Sequence, residues 1–325
     1  MKDMKDMIKE IVREEMNKNN KIYHFMAGLP RSGSTLLSAI LNQNPNIHSG
    51  PSSPVVPTML AIEISLSNDE LFLAYPKPEQ AKKIISSVLD NFYSDVSAPV
   101  IIDKNRSWID KINYIRGYFN IQKPKILYPV RDIKEILASF ISMHRRNLYK
   151  GSGKLPFPDE SLVKSNLHLS DDVRCEFLCG EMGIIGQSYN GLKKCFLEGN
   201  DECVHIIEYN DLINDPKTTM RKIYDYLEMD YYEHDFNNLV NLHRENDLQV
   251  YGLEDMHEVR KNLEKVSTTP EDILSENILE KLKNLEFWRE NDSVDYDKNV
   301  DFNNEIGEDI NSEFHESFIG YKNLH

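Results

Sequence analysis

The chain has 325 residues, 40% of them hydrophobic, and a formal net charge of −15 at pH 7. That length fits one large α/β domain or two small ones, and the acidic balance argues against a nucleic-acid partner, which needs a basic surface. No run approaches the ~20 apolar residues of a membrane span, and the charged first residues lack the apolar core of a signal peptide, so we expect a cytoplasmic protein with no membrane partner.

Apolar runs alternate with helical patterns along most of the chain. Residues 1–20 fit a charged amphipathic helix, and residues 22–27 form an apolar run that ends at Gly28, as a buried strand does. A helical pattern follows at 35–43. Three more strand-like runs, at 99–103, 125–130 and 205–209, each precede a helical stretch. The alternation predicts an α/β fold, with a parallel sheet covered by helices on both faces, in a domain of residues 21–290. Residues 291–325 turn acidic and form a predicted C-terminal arm to which we assign no chemistry.

A glycine-rich loop joins the first predicted strand to the first helix. Its pattern is Gly28, four residues, then Gly33, Ser34 and Thr35. Such a loop wraps an anion with backbone N–H groups, and the helix N-terminus adds a positive dipole. The form that handles nucleoside triphosphates has Lys at the position of Ser34, and here the loop's only cation is Arg31. The loop therefore predicts a phosphate ligand with less charge to neutralise than a triphosphate.

Residues 29–37 resemble the 5′-phosphosulfate loop of sulfotransferases, most closely bacterial family members and more distantly tyrosylprotein sulfotransferases. The resemblance spans about Tyr23 to Trp288 and is strong only in patches. It implies transfer of a sulfuryl group from 3′-phosphoadenosine-5′-phosphosulfate (PAPS) to a hydroxyl or amine of a small molecule or peptide, without a metal, leaving 3′-phosphoadenosine-5′-phosphate (PAP). In the loop it implies that the 5′ end of the donor is held by Arg31, Ser32, Gly33, Ser34 and Thr35.

A second patch, residues 128–132, resembles the segment that binds the donor's 3′-phosphate. It implies contacts from Arg131 and from Ser139, eight residues later. An Arg at the carboxyl end of a parallel strand faces the ligand crevice and can chelate a phosphate with two donors. The alternative is that Arg131 pairs with a nearby carboxylate. Tyrosylprotein sulfotransferases have another Arg where Met143 stands here, and Arg145 or Arg146 could replace it.

Two later patches complete the resemblance. Residues 207–212 resemble the strand whose Tyr contacts the nucleotide, which implies that role for Tyr209. Residues 251–265 resemble the loop that closes over the donor, and Arg260 and Lys265 become candidate phosphate contacts. A solvated run of charges is the alternative for these two residues.

The general base departs from the family pattern. Tyrosylprotein sulfotransferases have a Glu where this chain has Ser52, which cannot act as a base at neutral pH. Asp103 ends a predicted strand at the crevice, and the resemblance places the adjacent Lys104 near the sulfuryl group. His48 titrates near neutrality and ranks second. For Asp103 the structural alternative is a cap on the following helix, for which Ser107 is another candidate, and for His48 it is a surface or hydrogen-bonded role. The remaining base candidates are Glu63 and His144.

Two other functions stay open at this level. A nucleotide or small-molecule kinase would use the same loop, with Asp132 holding a metal, but the missing Lys at Ser34 counts against it. A non-catalytic nucleotide-binding regulator is the third reading, because the base position is unmatched. The acceptor is not identified by the sequence.

Overall fold

The computed structural model of the chain describes residues 21–148, 154–181, 183–264 and 269–289. The predicted helix at 1–20, the acidic arm at 291–325 and the candidate Lys265 lie outside the described residues. Among the helices of the described ranges, none combines the length and apolar character needed to cross a membrane.

Five parallel strands form a single sheet within the described residues, in the order β2-β3-β1-β4-β5. They are Ile22–Met26 (β1), Ile47–Ser52 (β2), Val100–Lys104 (β3), Ile126–Val130 (β4) and Val204–Glu208 (β5). The predicted α/β fold is confirmed, and four of these strands were predicted within one residue at each end. Sequence reasoning missed β2 because this edge strand has one aliphatic side chain and contains Gly50-Pro51, and its pairing with β3 is irregular after Ser49.

Helices cover both faces of the sheet. They are Ser34–Leu41 (α1), Val55–Asn68 (α2), Glu70–Ala74 (α3), Pro78–Phe92 (α4), Ile112–Phe119 (α5), Ile133–Asn147 (α6), Asp159–Lys164 (α7), Asp171–Cys179 (α8), Ile184–Leu197 (α9), Tyr209–Asn214 (α10), Pro216–Leu227 (α11), Asp247–Tyr251 (α12) and Glu276–Lys281 (α13). Successive strand residues point to opposite faces of the sheet, and each face has its own hydrophobic cluster. Phe25 packs in the larger cluster with α6 and α9, and Met26 packs in the smaller one with α1 and α11. The stretch expected as one helix at 171–198 is two helices, α8 and α9, separated at Gly180.

The strand order places a crevice beside β1. From β1 the chain first builds the side with β2 and β3 and then crosses to β4 and β5. Ligands bind in such sheets at the carboxyl ends of the strands where the order reverses. Gly28 follows β1 and Arg131 follows β4, so the two predicted anion-binding segments meet at this point.

Candidate functional site

The phosphate loop, residues 28–35, is fastened to the end of β4. The Leu29 N–H donates to the Pro129 carbonyl at 3.0 Å. Gly28 has φ +108°, and a Cβ there would lie 2.8 Å from Pro129, so only glycine fits. The Ser32 hydroxyl is buried and donates to the Pro129 carbonyl at 2.8 Å. The side chain of Ser32, a predicted donor-binding residue, therefore fixes the loop to the sheet.

Helix α1 begins directly after Gly33, which has φ +90°. A Cβ at this position would lie 2.9 Å from the ring of Tyr209. Ser34 and Thr35 form the first turn of the helix and line a cavity of about 630 Å³. The helix N-terminus thus points its unsatisfied N–H groups and positive dipole toward the cavity. This arrangement favours an anion beside Ser34 and Thr35.

The cavity collects positive charge in an otherwise acidic chain. Among the described residues, six cationic side chains line it: Arg31, Lys104, Arg106, Arg131, Arg146 and Arg260. Four acidic residues also contribute, and three of these belong to one wall near the end of the chain: Asp255, Glu258 and Glu264, the fourth being Asp110. A local basic cleft focuses a positive potential even where the whole molecule carries the opposite sign.

Arg31 connects three elements around the cavity. Its Nε donates to the Ser139 Oγ of α6 at 3.4 Å, and its Nη1 donates to the Met256 carbonyl. Burial, together with the charges of Arg131 and Arg146, lowers the pKa of Arg31 to about 10. An anion in the cavity would relieve this concentration of positive charge.

Arg131 combines a carboxylate contact with a place in the cavity wall. Its Nε donates to Glu135 at 2.7 Å, so the carboxylate pairing considered from the sequence is present. The guanidinium also lies over the Tyr209 ring, 4.4 Å from its centroid, and both residues line the cavity. Ser142, three residues after Ser139, also lines this cavity. Its Oγ is buried and has no hydrogen-bond partner among the described residues. A buried hydroxyl of this kind is suited to a ligand oxygen.

Lys104 reaches the phosphate loop from the end of β3. Its Nζ donates to the Thr35 Oγ1 at 3.1 Å, and both side chains line the cavity. Burial lowers the pKa of Lys104 to about 8. Lys104, which the resemblance places near the sulfuryl group, thus contacts the phosphate loop, and its role there stays a prediction.

Asp103 points away from this cavity. Successive strand residues face opposite sides, and the side chain of Asp103 is 0% exposed. Its carboxylate accepts hydrogen bonds from Ser53 at 2.8 Å, from Tyr93 at 2.8 Å and from Trp108. Burial raises its pKa. The structure does not bring Asp103 to the crevice, and the helix cap that was its alternative role is provided by Asn105.

The other base candidates also lie outside the residues that line the cavity. The His48 ring packs beside Tyr93 and His243, with centroids 5.4 and 4.9 Å away, and burial lowers the pKa of His48 to about 4. Glu63 accepts a hydrogen bond from the Tyr118 hydroxyl at 2.8 Å, and His144 Nε2 lies 3.0 Å from the Asp159 carboxylate. The structure thus leaves the cavity without any of the predicted bases.

The structure separates two arginines that the sequence could not distinguish. Arg146 lines the cavity, whereas Arg145 donates to Asp171 at 2.7 and 2.9 Å. Arg260 also lines the cavity, and its guanidinium lies 3.8 Å from the carboxylate of Glu264. Arg106 is a cavity residue that sequence reasoning missed, although its place directly after the strand that ends at Lys104 was a usable signal.

Sequence reasoning also missed a cluster of one histidine and two carboxylates close to Ser52. His257 lines the cavity, and its Nδ1 lies 2.6 Å from Asp247 Oδ1 and 2.9 Å from Glu245 Oε2. The second oxygen of Glu245 accepts the backbone N–H of Ser52 at 3.0 Å. One side-chain nitrogen or oxygen atom from each of His257, Asp247 and Glu245 lies within 4.8 Å of the other two. A carboxylate and an imidazole therefore occupy the neighbourhood where the sequence lacks its expected Glu.

Comparisons with known proteins place this geometry in context. The family model described as "Sulfotransferase family" matches residues 24–233, more than half of the chain. The protein-tyrosine sulfotransferase of Drosophila melanogaster is 23% identical over 217 residues, which cover 63% of this chain and 38% of that protein. Protein-tyrosine sulfotransferase 1 of Homo sapiens is 26% identical over 125 residues, covering 36% of this chain and 33% of that protein. The chain thus spans 33–38% of the length of these curated relatives.

Among solved structures, the mouse sulfotransferase SULT7A1 complexed with PAP is similar with a TM-score of 0.46 and 16% identity, over 92% of this chain and 90% of that chain. The sulfotransferase domain from the curacin biosynthetic pathway has a TM-score of 0.42 and 18% identity, over 65% of this chain and 75% of that chain. The family match and the curated relatives confirm the resemblance predicted from the sequence.

Proposed function

The chain belongs to the sulfotransferase family, and on that premise we propose that it transfers a sulfuryl group from PAPS to a hydroxyl or amine, releasing PAP. The acceptor in this proposal is a small molecule or a peptide. Family membership supports a transferase, and the identity of the donor is inferred from the cavity.

The observation that carries the donor assignment is a pair of anion-binding subsites on one cavity. The first is the phosphate loop with Arg31 and the N-terminus of α1. The second is Arg131, supported by Tyr209, with the buried unpaired hydroxyl of Ser142 and the neighbouring Ser139. PAPS carries one anionic group at each end of its ribose, a 5′-phosphosulfate and a 3′-phosphate. Two separate groups of anion-suited residues on one cavity support a donor with two anionic groups.

The catalytic chemistry follows from where charge appears. We treat sulfuryl transfer by analogy with phosphoryl transfer, as in-line attack through a loose transition state in which the leaving oxygen gains negative charge. The leaving oxygen belongs to the 5′-phosphate of PAP. Arg31, Lys104 and the first-turn N–H groups of α1 surround the proposed position of that phosphate. Fixed positive groups of this kind stabilise the transition state without reorganising.

The structure also argues against the kinase alternative. It required Asp132 to hold a metal at the cavity. Asp132 is instead the N-cap of α6, where its carboxylate accepts the Lys134 N–H at 2.9 Å. Since the loop also has Ser34 in place of Lys, the phosphate loop and the strand end both favour the sulfotransferase reading.

Calorimetry with PAP and with ATP–Mg²⁺ tests the donor. We expect PAP to bind and ATP–Mg²⁺ to bind much more weakly. Incubation with PAPS and a panel of phenols, alcohols, amines and tyrosine peptides, read by mass spectrometry, then looks for an added sulfate. Tight ATP binding that requires Mg²⁺, without PAP binding, would support the kinase, and PAP binding without any PAPS consumption would support the non-catalytic regulator.

A further inference from the structure

The proposed reaction lacks an acceptor-activating base at the position where relatives have one. Attack by a hydroxyl requires removal of its proton, and Ser52 cannot accept it. The structure places Asp103, His48, Glu63 and His144 outside the cavity. A base must therefore be sought among the other cavity residues.

We propose that His257 is the general base of this enzyme, held in position by Asp247 and Glu245. This inference rests on the proposed function and assigns one step of it. The residue belongs to the late segment, residues 241–264, of which residues 255–260 and 262–264 line the cavity. Its side chain is 15% exposed and it lines the cavity.

All polar atoms of His257 except one are engaged within the described residues. Its backbone N–H donates to Asp247 at 2.9 Å, and its carbonyl accepts from the Asn241 side chain at 3.0 Å. Its Nδ1 faces two carboxylate oxygens, at 2.6 Å from Asp247 and 2.9 Å from Glu245. The ring can rotate little with these contacts in place, and Nε2 is the atom left for a ligand.

The two carboxylates also determine the tautomer. Ionised carboxylates only accept hydrogen bonds, so Nδ1 must carry the proton and a neutral ring has its lone pair on Nε2. Burial tends to raise the pKa of Glu245, but hydrogen bonds from His257 and the Ser52 N–H, with the charge of Lys104, outweigh it and lower the pKa to about 2. Glu245 therefore stays ionised at neutral pH and is a weak base. It is suited to positioning the imidazole rather than to taking the acceptor's proton itself.

The connection to Ser52 places His257 at the correct side of the donor. Glu245 bridges the Ser52 N–H and His257 Nδ1 with its two oxygens. Ser52 in turn pairs with Lys104 in the sheet register, and Lys104 contacts the phosphate loop through Thr35. The adjacent Met256 carbonyl accepts from Arg31. Glu245 and the backbone of Met256 thus link the imidazole to Lys104 and Arg31, which line the same cavity.

The step balances without another reactant. The acceptor oxygen attacks sulfur with its lone pair while its proton moves to His257 Nε2. The bond between sulfur and the bridging oxygen breaks, and its electron pair stays on the 5′-phosphate of PAP. The imidazolium that forms is stabilised by Glu245 and Asp247 and later loses its proton to water.

The test compares His257→Asn with His257→Ala and with wild type. Asn retains a donor near the Nδ1 position, and hence the contacts of the late segment, but has no group at Nε2. We expect both variants to lower turnover by on the order of 10²–10⁴-fold, with the PAP dissociation constant changed by less than about threefold. Turnover is measured with the acceptor found in the screen or, without one, as hydrolysis of PAPS by water. His168→Asn, at an exposed histidine outside the cavity, is the matched control and should behave as wild type.

Free imidazole provides a readout that a structural role would not move. We expect it to restore part of the turnover of His257→Ala and to leave wild type unaffected. For the positioning residue, Asp247→Asn should lower kcat by at least about tenfold while the PAP affinity stays level, because it frees the ring to adopt the wrong tautomer.

The outcomes separate the two proposals. If wild type neither binds PAP nor consumes PAPS, the proposed function fails. If wild type does both and His257→Asn keeps turnover within about threefold, the base assignment alone is overturned. Loss of wild-type turnover with a chelator and its recovery with Zn²⁺ would also overturn it, since the cluster would then hold a metal.

Discussion

The cavity has two walls that are built in different ways. The donor wall consists of the phosphate loop and the ends of β3 and β4, where backbone hydrogen bonds such as Leu29 N–H to Pro129 fix the geometry. The other wall is the late segment, which has little regular structure apart from α12. Backbone hydrogen bonds attach Tyr251, Lys261 and Leu263 to neighbouring segments, and side-chain hydrogen bonds attach the region around His257. Asn241 and Asp247 bind the backbone of His257, and Glu245 accepts the backbone N–H of Ser52.

The two walls also differ in charge. The donor wall carries most of the cations, and the late segment carries three of the four acidic side chains that line the cavity. A wall attached to a sheet is suited to hold a charged ligand in one position. A segment held by side-chain contacts can differ between relatives without disturbing the sheet. Under this proposal, a change at Arg131 in the donor wall should act on donor affinity and a change at His257 in the late segment should act on turnover, whereas Arg31 and Lys104 contribute to both.

The largest expected effect within the donor wall is that of Arg131→Ala. The 3′-phosphate is bound equally in the ground and transition states, so affinity should suffer and turnover at saturating donor should not. A lost charge-assisted hydrogen bond of about 1.5–3 kcal/mol corresponds to a PAP dissociation constant about 10- to 150-fold higher. Calorimetry measures it, with Arg145→Ala as the control because Arg145 binds Asp171 outside the cavity. Unchanged PAP affinity in Arg131→Ala would remove the 3′-phosphate assignment.

A smaller effect should appear as a pH dependence of donor affinity. Burial lowers the pKa of Lys104 to about 8, so the amine is charged below that pH and loses its proton above it in the empty cavity. A bound anion favours the charged form, and binding above about pH 8 then requires uptake of a proton. The PAP dissociation constant should therefore rise with pH above about 8, by at most about tenfold per unit. Calorimetry on Lys104→Met should show a flatter profile over the same range, and parallel profiles for the two proteins would exclude Lys104 as the source.

The smallest expected effect is that of Asp103→Asn, which sharpens the contrast between buried support and catalysis. Asn retains an oxygen for Ser53 and Trp108, so turnover should stay within about threefold of wild type. Asp103→Ala leaves three donors without an acceptor and should lower the free energy of unfolding by about 1–3 kcal/mol, measured by denaturant titration. A fall of about a hundredfold in turnover of Asp103→Asn at constant PAP affinity would return the base role to Asp103.

The sequence by itself determined the fold class, four of the five described strands and the donor loop. These features depend on neighbours in the chain: apolar runs predict strands, and residues 28–35 form one continuous motif. Sequence reasoning could also identify Arg131, because the local pattern of residues indicates where its strand ends.

Only the tertiary structure decided which side chains share the cavity. Asp103 and Lys104 are adjacent in sequence, yet the pleat sends one into the core and the other to the phosphate loop. His257 gains its place through Glu245, which meets Ser52 from 193 residues away. No sequence pattern encodes a contact of that separation, because it depends on how the late segment packs across the completed sheet.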